Sequence, residues 1–166
     1  MLVLVLVLVP QPPAIPDNGR MLMQPSPQDV RRFFCGAYQR WRDNAPQDAL
    51  QTMAALWIAD HPEYHAELAD LPGALARIGQ ADDGRQNPFL HLSMHLSISE
   101  QCSIDQPRGI RQAVELLAAR RAGGLHEAHH VAMDHLGRMV WEAQRAGRAP
   151  DGAAYVEAVQ RAATQD

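Results

Sequence analysis

The chain has 166 residues, a net charge of −4 and 46% apolar residues, enough for a sizeable hydrophobic core and too apolar for wholesale disorder. All 15 basic residues are Arg, which excludes Schiff-base lysine chemistry and a P-loop lysine. The acidic balance lacks the electrostatic footprint of a general nucleic-acid binder. Two widely separated cysteines, Cys35 and Cys102, make neither a zinc ribbon nor a redox pair.

Residues 1–22 alternate Leu and Val as far as Pro10 and then become Pro-rich. That apolar stretch is too short to span a bilayer, and no positive charge precedes it as a signal peptide would require. The alternation suits a strand, but nothing later in the chain would pair with it. It reads as an unstructured or strand-like tail ahead of a true start near Met21 or Met23, with a single helical domain over 23–166.

Helical signals begin at Ser26, an N-cap followed by Pro27 at the first position and Asp29 at the third. Val30, Phe33, Phe34, Ala37, Tyr38 and Trp41 then follow the 3.6-residue stripe to about Asp43. Arg31, Arg32, Arg40 and Arg42 fall off that stripe and read as a solvated face. After Pro46, Leu50, Met53, Ala54 and Trp57 line a second helix up to Asp60. A short helix starting at Pro62 runs to about Leu71, and Pro72-Gly73 and residues 79–86 read as loop. Four further helices are predicted at 88–103, 107–121, 125–146 and 151–164. No convincing strand pattern follows residue 20, so the fold class is all-α, a compact bundle of five to seven helices joined by short connections. Trp57, Trp141, Phe33 and Phe34 are the expected aromatic core anchors.

Eight histidines, all between His61 and His135, are the main chemical signal. The 88–103 helix is apolar on two opposite sides, which predicts neighbours on both flanks. His91, His95 and Cys102 fall within about 40° of one another on its helical wheel. An i,i+4 His pair lets both imidazoles reach one metal ion, whereas a lone Cys102 suits a small core residue more than an extra ligand. His126 and His130 repeat this spacing on the 125–146 helix, with His129 inside the apolar face, Asp134 beside His130, and His135 pointing away to solvent. Two such pairs on two helices would supply four imidazoles to a mononuclear Zn, Fe or Mn site. His61 and His65 form a third His-x3-His whose direction Pro62 obscures. They read as a capping His61 and a partly exposed His65, or one of them completes a site or acts as an outer proton carrier. Glu100 and Asp134 are candidate acceptors that would fix an imidazole tautomer.

The string from His126 to His130 also satisfies HExxH, in which Glu127 would be the general base of a zinc hydrolase. Met133 stands where the extended metzincin pattern requires Gly, and no strand offers the edge that holds a peptide. A single Glu-x-x-His copy also falls short of a di-iron carboxylate bundle.

Several stretches resemble one uncharacterised bacterial family, domain of unknown function 1841. They are PS at 25–26, RRFF at 31–34, HPEYH at 61–65, NPFLHLSMHLSISEQ at 87–101, DQPRGI at 105–110 and the helix over 126–141. The resemblance covers about residues 22–163. Members begin just before the Pro-Ser pair, which supports the start near Met21. It implies a bacterial, cytosolic protein and transfers no activity, cofactor or site residue. The expected function is therefore a small cytoplasmic helical protein with a His-rich metal site. The alternatives are a non-catalytic interaction or structural protein with a buried His network, which could be a homodimer, and the HExxH hydrolase. Neither nucleic acid nor membrane is an expected partner.

Overall fold

The computed structural model describes residues 25–80 and 87–165, all of which are helical or in turns and short connections. The elements are α1 (Pro27–Arg42), α2 (Ala49–Ala59), a 3-10 turn (Pro62–Tyr64), α3 (His65–Leu68), α4 (Leu71–Ala76), α5 (Pro88–Ile104), α6 (Ile110–Arg120), α7 (Gly124–Ala146) and α8 (Gly152–Thr164). No strand occurs among the described residues, which makes the described chain all-α. No helix among them is long and apolar enough to cross a membrane. The expectations for residues 1–22 and most of the 79–86 loop lie outside the described residues.

The contacts group the chain into two compact units, one running up to Leu96 and the other from Ser97 onward, so that α5 contributes residues to both. In the first unit α1 packs against α2, α3 and α4. Its start is the capping box read from the sequence: the Asp29 amide donates to Ser26 Oγ at 3.2 Å, and the Ser26 amide donates to Asp29 Oδ2 at 2.8 Å. A second capping box, not recognised in the sequence, opens α2, where the Gln51 amide donates to Asp48 Oδ1 and the Asp48 amide to Gln51 Oε1. Each cap satisfies amides that have no partner inside the helix. Phe34, Ile58, Leu68, Leu92 and Leu96 are at most 1% exposed and form the middle of this core, with Val30, Ala37, Ala54 and Phe89 around them. Burying each of the larger aliphatic or aromatic side chains contributes about 1.5–3 kcal/mol.

Three sequence readings change in this unit. The segment after Pro62 does not form one helix to Leu71; it breaks into the 3-10 turn, α3 and α4. Pro72-Gly73 is not a loop either, because Asp70 caps α4 by accepting the Gly73 amide at 3.0 Å. Arg31 is buried, not solvated. Its Nε donates to the Ala74 carbonyl at 2.9 Å and its NH1 to the Pro27 carbonyl at 3.1 Å, while the guanidinium sits 5.0 Å from the centre of the Phe89 ring. One planar cation thereby satisfies a buried carbonyl near the C-terminus of α4 and covers an aromatic face.

In the second unit α6, α7 and α8 pack against one another. Ile110, Val114 and Leu117 of α6, Leu136 and Val140 of α7, and Val156 and Val159 of α8 are buried between them. The helix expected from 107 starts at Ile110, because Gly109 has φ +95°, outside helical space. Asp105 stabilises that turn by accepting the amides of Gly109 and Arg111. Arg111 in turn donates to the last carbonyls of α5, at Cys102 and Ser103, both at 2.7 Å. Arg120 does the same for α8, donating to Ala163 at 2.9 Å. Guanidinium capping of a helix C-terminus thus recurs at α4, α5 and α8, a use of Arg that a flexible ammonium would serve less well. Trp141 is not a core anchor: it is 54% exposed and lies under Arg145 at 5.1 Å.

Candidate metal centre

The first half of α5 is buried on almost every side, which fits the two apolar flanks seen in its sequence. His91 and His95 point from it into the first unit together, as their i,i+4 spacing requires. Their Nε2 atoms are 3.2 Å apart. The third member is His61, at the turn after α2, with its Nε2 3.0 Å from that of His91. His61, His91 and His95 are 2%, 8% and 0% exposed.

The ring of His61 is oriented by the backbone. Its Nδ1 lies 2.7 Å from the Trp57 carbonyl oxygen, which can only accept, so Nδ1 carries the proton and a neutral His61 presents a bare Nε2 lone pair. Two contacts then compete for one proton at His91. If His91 Nε2 carries the proton it serves His61, and His95 shares that proton or faces it with another. If His91 Nε2 is bare, it faces the His61 lone pair at 3.0 Å. A cation between the rings could accept these lone pairs in either arrangement. At a Zn–N distance of about 2.0–2.1 Å, two ligand nitrogens of a tetrahedral ion are about 3.3 Å apart. The observed separations of 3.0 and 3.2 Å are close to that edge length.

Aromatic rings wall this group. Trp57 stacks on His95 with centroids 4.1 Å apart and planes at 15°. Tyr64 lies parallel to His61 at 5.4 Å and edge-on to His91 at 5.7 Å. Burial pushes the Tyr64 phenol up to about 12, which keeps it neutral. Burial of the three imidazoles strengthens any ion–ligand interaction there.

His65, the other half of the third His-x3-His, turns elsewhere. Its Nε2 donates to the Ile58 carbonyl at 2.8 Å and its ring packs between Tyr38 and Trp41. The 3-10 turn after Pro62 separates the two directions. His61, read from the sequence as a cap or an auxiliary ligand, makes no side-chain cap and belongs to the imidazole group.

In the second unit His126 and His130 have ring centroids 4.4 Å apart on α7. Each offers a ring nitrogen within 4.8 Å of the other's, as do His61 and His95 in the first unit. Glu127 is exposed, and its Oε2 is 4.0 Å from His130 Nδ1, beside a ring edge and beyond hydrogen-bond length. His129 is buried among the apolar residues of α7, and burial, reinforced by His126 and His130, pushes it down to about 3. Asp134 is exposed. His135 does not point into solvent; it is half-buried, facing α8 beside Arg138 and Arg161, and burial holds it below its ordinary value. Cys102 is also partly buried, pushed up to about 11 by burial, and its charged neighbours are Glu115, Arg111 and Asp105. Glu100 is 9% exposed, and burial raises its carboxyl above the ordinary value.

A family model described as "Domain of unknown function (DUF1841)" matches residues 26–161. No curated protein and no solved structure matches the chain.

Proposed function

The chain belongs to the DUF1841 family, and we propose that it binds one transition-metal ion, Zn, Fe or Mn, through the Nε2 atoms of His61, His91 and His95. The carrying observation is the convergence of three imidazole nitrogens at 3.0 and 3.2 Å, with His61 oriented by the Trp57 carbonyl. Imidazole suits all three metals, and the carbonyl held at Nδ1 is the outer partner that metal-binding histidines commonly have. Burial of all three rings favours an ion held for structure or for electron transfer over one open to bulky substrates. A cytosolic setting belongs to the same reading.

The sequence offers His126 and His130 as a second donor pair, with Glu127 at its edge, and the same experiment decides their part. Metal content is measured by plasma mass spectrometry on the untagged full chain, before and after anaerobic loading with Zn(II), Fe(II) or Mn(II). About one equivalent is expected, lost in His91→Ala and in His95→Ala while circular dichroism stays helical. Equal content in the wild type and both variants, or no uptake by the wild type, overturns the reading. Loss in His130→Ala as well would make the second pair part of the ligand set.

A second reading draws on the same contact together with the ring stacking. The same 2.7 Å bond to Trp57, with Trp57 and Tyr64 stacked on the rings, suits a proton-sharing polar network inside an interaction or structural protein. It predicts a metal-free protein with a defined oligomer in light scattering.

A further inference from the structure

A groove of about 410 Å³ lies between α7 and α8 in the second unit, a size that accommodates a small organic molecule. Its apolar lining comes from Met139, Ala143, Ala158 and the ring of Tyr155, and Arg138, Arg148 and Arg161 also line it. This is a concentration of guanidinium groups in a chain whose net charge is −4.

The protein's own carboxylates leave these cations largely unused. Asp151 lines the groove, but its Oδ1 accepts the Ala154 amide at the start of α8. Glu142 stands one turn from Arg138, yet neither Arg138 nor Arg148 forms an ion pair among the described residues. Arg161 meets Glu157 at 3.7 Å with both side chains more than 60% exposed, an arrangement worth little in water. His135, on the same wall, is held below its ordinary value by burial and then by Arg138, with Asp134 opposing and Arg161 adding a smaller push in the same direction as Arg138. Guanidinium groups recognise oxyanions in two-point geometry, and an apolar lining favours a ligand with a hydrocarbon body.

We propose that this groove binds a small organic oxyanion, a phosphate or carboxylate head on an apolar body, with Arg138 and Arg161 holding the head. The probes are phenyl phosphate, inorganic phosphate and benzyl alcohol, titrated into the full chain and followed by amide NMR shifts. Phenyl phosphate is expected to saturate and to shift residues of α7 and α8. Arg138→Gln and Arg161→Gln should each weaken it about tenfold, with helicity unchanged because both residues are exposed. Inorganic phosphate is expected to bind more weakly at the same residues. No saturable shift by about 10 mM phenyl phosphate overturns the proposal, as does unchanged affinity in both variants. Benzyl alcohol binding as tightly as phenyl phosphate would also overturn it, since the groove would then be apolar only.

Discussion

His61 Nδ1 and the carbonyl oxygen of Trp57, four residues earlier, lie 2.7 Å apart. That contact couples the end of α2 to the orientation of a buried imidazole. The same ring serves two partners, the backbone at Nδ1 and His91 at Nε2. Replacing His61 by Phe keeps an aromatic ring against Tyr64 but removes both nitrogens. The expected result is loss of about 1–3 kcal/mol of stability in metal-free protein, because the buried imidazole-to-carbonyl hydrogen bond is lost, together with loss of bound metal. Urea unfolding with and without chelator measures the two effects separately.

Arg31 carries two hydrogen bonds and covers Phe89 from a buried position. Arg31→Met should cost about 2–4 kcal/mol, since two carbonyls lose a charged donor. Arg31→Lys should recover only part of that loss, because one ammonium does not reproduce the planar fork. Urea midpoints of the three proteins test the order.

The Tyr155 hydroxyl is buried without a hydrogen-bond partner among the described residues, and burial raises its phenol above the ordinary range. Tyr155→Phe removes that cost and keeps the ring. It should leave stability unchanged or raise it by up to about 1–2 kcal/mol. A clear loss on thermal unfolding would show that the hydroxyl has a partner, such as a water, in solution.

Burial raises the Glu100 carboxyl above 4.5 in the folded state. The folded protein therefore holds this proton to higher pH than the unfolded chain does. The stability tied to it is fully present below pH 4.5 and is lost as the pH rises through the folded value. Glu100→Gln should accordingly be more stable than wild type at pH 7 and gain nothing at pH 4. Unfolding curves at the two pH values check the sign.

The parts of the fold legible in sequence were those set by local signals. Ser26, Pro27 and Asp29 announced α1, and the apolar periodicity of α5 and α7 placed both helices to within a residue or two. Asp48 and Gln51 carried an equally local signal that Pro46 overshadowed. Trp141 was legible as well: it falls at about 60° on the wheel that puts His126 at zero, next to polar Asp134 and away from the apolar face. Arg31 and His135 were not legible, because each is buried by a different helix and periodicity says nothing about which neighbour arrives. His61 was hidden for another reason. A 3-10 turn follows it, so helical spacing gave no direction for its side chain.

The convergence of His61 and His91 joins residues 30 positions apart in the chain. An ion held by both would act as a removable cross-link, enclosing α3 and α4 in a closed loop. Closing a loop of that length chiefly lowers the entropy of the unfolded chain, so stability gained from the ion would register as resistance to opening of the α3–α4 segment. Metal supply would then set how readily a protease reaches α3 and α4, a link between ion availability and lifetime that needs no catalytic step.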